Sequence, residues 1–147
     1  MSASADALAA AHDVAPEGFE EVMPVGGFVR MTGPFYLHAR LPILALRIGP
    51  QHLNVLRIGH GGLLATLVDT AFGAVMKREL AMHLPPATVS LSCDYIAPVR
   101  EGDWVQAHVE LHKAGRRLTN ASCLVRADER LVVRASGVFV HSGPQAL

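Results

Sequence analysis

The sequence predicts an α+β fold in which one long central helix is wrapped by a curved antiparallel sheet. Two observations carry this. Gly61 to Met76 reads GGLLATLVDTAFGAVM, a helix-length run in which Asp69 is the only charged residue. After Pro85-Pro86, four strand-length stretches follow one another, separated by short turns. One apolar helix followed by a meander can bury its faces by laying the sheet against the helix.

The elements follow in order. Residues 1–25 read as a tail or a short helix, small and Ala-rich with acids toward the end. The single domain is expected over 26–141, with a second tail over 142–147. Gly26 to Arg40 holds two strand candidates, FVRM and FYLHA, marked off by glycines. Pro42 interrupts the chain, and ILALRI (43–48) reads as another strand before the Gly49-Pro50 turn. Residues 51–60 form a connection ending at His60-Gly61-Gly62. The helix from Gly61 to about Leu80 is apolar on almost every side, so it should be enclosed. Nothing else in the chain covers its far side, which points to a second subunit.

In TVSLSCDYIAPV, alternation puts Val89, Leu91, Cys93, Tyr95, Ala97 and Val99 on one face. Glu101-Gly102-Asp103 turns the chain into WVQAHVELHKA, whose Val105, Ala107, Val109 and Leu111 share a face. Gly115 to Arg117 leads into LTNASCLVRA, and Asp128 to Arg130 into LVVRASGVFVH.

Composition narrows the function. A chain of 147 residues suits one domain with one core. Lys plus Arg number 13 and Asp plus Glu 13, so no global basic field exists to hold nucleic acid. There is no basic amphipathic segment for a membrane surface, and the central apolar run is too short and too polar to span one. The N-terminus lacks the basic region and apolar core of a signal peptide. Cys93 and Cys123 read as small buried hydrophobes of a reducing compartment, so a soluble cytoplasmic protein is expected. No Cys/His cluster suggests zinc. His108 and His112 would stand about 13 Å apart on a strand, so neither metal nor cofactor is expected.

Asp69 is the first candidate for chemistry. An ionised carboxylate inside a buried helix is costly unless it is paired or used. Asn54 and the His60-Gly61-Gly62 turn lie nearby in sequence. A helix N-terminus offers free N–H groups and partial positive charge, and glycines let a ligand oxygen come close. This is an oxyanion-type site in outline. Asp69 lies eight residues beyond Gly61, about 12 Å along the axis. One carbonyl cannot touch both on the same helix. Either the substrate is long, or the Asp comes from a two-fold-related neighbour.

The pattern Asn54-x5-His60-Gly61-Gly62-x6-Asp69-Thr70-Ala71 resembles that of the hotdog-fold acyl-CoA thioesterases, in their PaaI-like branch. TVSLSCDYIAPVREGD, KAGRRLTNASCLV and VVRASGVFV extend the resemblance over roughly Gly33 to Val140. It implies hydrolysis of an acyl-CoA thioester in a homodimer or homotetramer with shared sites. Asp69 then matches the acid that activates water or attacks the carbonyl. Gly61 or Gly62 matches the polarising N–H, with Gly62 favoured as nearer the first helical turn. Asn54 matches the residue that helps hold carbonyl or water, and Thr88 the hydroxyl assisting the acid. Simple alternation places Thr88 opposite Val89 and Leu91, so a bulge, or exposure at the strand start, is needed to settle its direction. His60 matches a largely structural histidine. Arg57, Lys113, Arg116 and Arg117 are candidate contacts for CoA phosphates, and Val68, Phe72 and Leu63 for the acyl pocket. Two alternatives are a hotdog hydratase or dehydratase, and a module that binds acyl-CoA without cleaving it.

Overall fold

The computed structural model describes residues 14–22 and 26–141. Its elements are β1 (Phe19–Val22), α1 (Gly27–Thr32), β2 (Phe35–His38), β3 (Ile43–Arg47), a 3-10 turn (Pro50–His52), α2 (Gly61–Glu79), β4 (Ala87–Tyr95), β5 (Trp104–Ala114), β6 (Leu118–Ala127) and β7 (Arg130–Val140). The strands form one antiparallel seven-stranded sheet in the order β1-β2-β3-β5-β6-β7-β4.

The expected helix and meander are present within a residue or two at most boundaries. Two expectations near the N-terminus are corrected. FVRM is not a strand: it lies inside α1. Residues 19–22, placed in the tail, form β1 and pair with β2 from Phe19↔His38 to Val22↔Phe35. Of the two expected tails, residues 1–13, 23–25 and 142–147 lie outside the described residues.

On α2 the buried positions are Leu63, Leu64, Leu67, Val68, Ala71, Phe72, Val75 and Met76. They repeat every four residues or so and make one broad face. That face packs on β3 and β5, and Phe72 meets Phe139 of β7 with ring centroids 5.0 Å apart. The opposite face carries Gly62, Thr66, Asp69, Thr70, Gly73, Ala74 and Lys77, none of them buried. So α2 is enclosed on one side only. Arg78 ties its C-terminal end to the β2–β3 turn, donating to the carbonyls of His38 (2.6 Å) and Leu41 (2.9 Å).

The loop before α2 is fixed by its backbone. Gly59 N–H donates to Val99 O and His60 N–H to His52 O, both at 2.8 Å. A Cβ on Gly59 would overlap the buried Val99 side chain, so only glycine lets the loop lie this close.

His52 links this loop to α1. It is 4 % exposed; its Nδ1 accepts from Gly49 N–H at 2.9 Å, and its Nε2 lies 2.8 Å from Thr32 O. This pattern fits the neutral ring with the proton on Nε2. Burial lowers its pKa below the usual 6.5, partly opposed by the bond to Thr32. As pH falls through the unfolded value, the unfolded chain therefore takes up the proton first. The contribution of neutral His52 is complete above that value and is lost on acidification. Urea unfolding should show lower stability near pH 5.5 than near pH 7.5, with a shallower pH slope in His52→Gln. Identical slopes would remove His52 as a source.

Candidate active site

Asp69 occupies the third turn of α2, half-buried on the open face. Thr88 donates its hydroxyl proton to Asp69 Oδ1 at 2.6 Å, in the range of charge-assisted bonds to carboxylates. The β4–β7 register slips between Thr88 and Ser90. This bulge supplies the turn that strict alternation denied to Thr88. The pair opens into a cleft of about 370 Å³, whose walls include Val29 of α1, Gly73 and Lys77 of α2, and Pro85.

A second centre lies at the start of α2. His60 is the N-cap residue, and its Nδ1 accepts from Gly62 N–H at 2.8 Å. Tyr95, at the end of β4, donates its hydroxyl to Gly61 O at 2.9 Å. Burial, and then the neighbouring Cys93, raise the Tyr95 pKa, so the phenol keeps its proton. Leu63 and Leu64 N–H both reach His60 O. Among the described residues, Gly61 N–H is the one donor of the first turn without an acceptor. Against the expectation for Gly62, its N–H is already bonded to His60, and Gly61 presents the open donor.

The other expected residues divide by location. Asn54 Oδ1 accepts from Leu56 N–H (2.9 Å) and Ile58 N–H (3.4 Å) and shapes the loop before His60. Its amide nitrogen has no protein partner among the described residues. Arg57 is exposed and lies 3.8 Å from Glu101, an ion pair of little energetic weight. Lys113, Arg116 and Arg117 are exposed at the β5–β6 hairpin. Leu118 and Ala87 both pair with Val140, so this hairpin lies at the Thr88 end of the sheet. Val68 and Phe72 are fully buried in the core and do not line the Asp69 cleft. The neighbouring positions Thr70, Gly73 and Ala74 line it instead. Leu63 borders a separate cleft between α1 and the helix start.

Tyr95 and Gly73 were not singled out for these roles. The sequence marks Tyr95 only as one member of an alternating face, and its bond to Gly61 spans 34 positions. Neither cysteine competes as a nucleophile. Burial first, and then Asp94 and Asp69, raise the Cys93 thiol, and burial pushes Cys123 up to about 12. A thiolate is the reactive form. Among the described residues no group of His, Cys, Asp and Glu could hold a metal ion, and no helix is long and apolar enough to cross a membrane.

The profile of the Thioesterase superfamily matches residues 58–134, which include both centres. A provisionally named esterase of Pseudomonas aeruginosa is 38% identical over 84% of this chain and 95% of its own. Acyl-coenzyme A thioesterase 13 of Mus musculus is 31% identical over 72% of this chain and 77% of its own. Among solved structures, a mutant of the phenylacetic acid degradation protein PaaI from Thermus thermophilus superposes with a TM-score of 0.68. It is 24% identical, over 79% of this chain and 99% of that one. The fold is the hotdog fold.

Proposed function

The chain belongs to the thioesterase superfamily, whose work is thioester hydrolysis, and from that premise we propose that it cleaves acyl-CoA at centres built by two chains. The single observation behind the two-chain reading is a separation. Asp69, held by Thr88 of β4, and the open Gly61 N–H sit on one helix, eight residues and about 12 Å apart. Two antiparallel copies of α2 would bring the Asp69 of each chain to the Gly61 of the other. The open face of α2 supports this, and so does β4. It is the last strand of the sheet and exposes Val89 and Tyr95, an edge that a second chain can cover. Similarity to the mouse thioesterase supports CoA as the thiol.

In this reading the thioester carbonyl lies against Gly61 N–H, with the Asn54 amide nitrogen nearby to hold carbonyl or water. Asp69 takes a proton from water as its oxygen attacks the carbonyl carbon. Negative charge moves onto the carbonyl oxygen, where the N–H and the positive helix end meet it. The C–S bond then breaks, and the leaving sulfur receives the proton from Asp69. Thr88 holds the carboxylate in place throughout. A single turnover in heavy-oxygen water should label the free acid on this route. Unlabelled first-turnover acid would show direct attack by Asp69 instead. Arg57 at one end, and Lys113, Arg116 and Arg117 at the other, are the cations offered to CoA phosphates.

Thiol release from a panel of acyl-CoA esters tests the proposal. Tight binding without release would favour the binding-module alternative, and loss of an enoyl group without free thiol would favour a hydratase. Tyr95→Phe deletes only the hydroxyl that holds Gly61 O. We expect kcat to fall up to about tenfold, the scale of one hydrogen bond, with KM little changed. A change in KM alone would assign Tyr95 to binding.

A further inference from the structure

We infer that the cleft beside Asp69 is a channel for an unbranched apolar acyl chain, and that Gly73 sets the length it admits. This rests on the acyl-CoA reading above and adds the class of acyl group. The cleft does not end at the carboxylate. It follows the α2 stripe Asp69, Thr70, Gly73, Ala74 and Lys77, which advances about 12 Å from its first residue to its last. An extended alkyl chain with bonds of about 1.5 Å covers that distance in roughly eight to ten carbons. A single aromatic ring on a short linker would leave the far half empty.

The walls match such an occupant. Beyond Asp69 and Thr88 the cleft is lined mainly by aliphatic and aromatic carbon, including Val29, Phe35, Leu84 and Phe139. Among the described residues that line it, the one other charged side chain, Lys77, is exposed at the far end. There its stem can cover the chain terminus while the ammonium stays in water.

Gly73 lies midway along the stripe. Glycine inside a helix costs stability relative to alanine, so its presence calls for a reason. A Cβ here would meet only Pro85 Cβ, at 3.5 Å, an ordinary contact. Packing therefore does not exclude a side chain at this position. What a larger one would do is fill the space between α2 and Pro85, through which the chain must pass.

The test is a chain-length series of saturated acyl-CoA esters from acetyl to dodecanoyl. For the unaltered protein, kcat/KM should rise by up to about fourfold per methylene, the value of moving one from water to an apolar site. The rise should level off near eight to ten carbons. Gly73→Leu should lose at least tenfold more kcat/KM on decanoyl-CoA than on acetyl- and butyryl-CoA. A flat profile, or equal losses on short and long esters, overturns the channel and leaves the thioesterase reading standing. Titration separates the two failures. Decanoyl-CoA and CoA are titrated into Asp69→Asn and into Asp69→Asn/Gly73→Leu, neither of which needs to turn over. Weaker binding of decanoyl-CoA alone in the double variant supports the channel even if no ester is hydrolysed. Equal affinities refute it.

Discussion

Asp69→Asn should lower kcat on a good thioester by about 10²–10⁴-fold, the usual contribution of a positioned general base. The substitution is nearly isosteric, and Thr88 can still donate to the remaining side-chain oxygen. Asp69 is half-buried and faces a cleft rather than the core, so removing its charge leaves no cavity and no orphaned partner. Thermal unfolding should therefore stay close to that of the parent, within about 1 kcal/mol. A folded variant with near-parental turnover would remove Asp69 from the chemistry. Loss of activity together with loss of folding would mark it as structural.

Gly61→Pro should be nearly as damaging, with about 10²–10³ lost from kcat as for other oxyanion donors, for a change that the helix accepts. Proline at the first helical position costs little, because its missing N–H has no intrahelical acceptor there. The residue before it must be extended, and His60 already has φ −64° and ψ 133°. A Cβ at Gly61 would come no closer than 3.5 Å to the Tyr95 ring. The substitution thus removes the one donor proposed to face the oxyanion and little else. It also tests the two-chain centre. If Asp69 and Gly61 act across an interface, unfolding and refolding an equal mixture of the two inactive variants yields mixed pairs with one intact site. About a quarter of parental activity should return, since half the pairs are mixed and half their sites are whole. If both groups act within one chain, mixing restores nothing.

Much of this molecule is readable from its residues, for identifiable reasons. β5 and β6 could be bounded because their alternation is clean and short polar turns end them, two of the three holding a glycine. α2 stands out because no strand runs so long. α1 and β1 were missed for opposite reasons. Phe28 and Val29 favour strands, and only the surrounding chain settles six residues into a helix. FEEV sets two acids side by side and shows no alternation, so β1 depends on its pairing with β2. In the site, Asp69 and Thr88 are legible because a lone acid and a hydroxyl recur at a known spacing. The choice between Gly61 and Gly62 is not, because it turns on where one imidazole points. Val68 and Phe72 were set in the pocket because an all-apolar helix does not announce which side meets the sheet.

The bare edge of β4, with Val89 and Tyr95 exposed, has a consequence for any assay. If a partner must cover that edge to complete a centre, the number of working centres follows mass action. Well below the dissociation constant, the paired species grows with the square of total protein. Activity per milligram should then fall on dilution and recover on concentration. A rate strictly proportional to protein, down to nanomolar levels, would require pairs that survive such dilution or a centre complete in one chain.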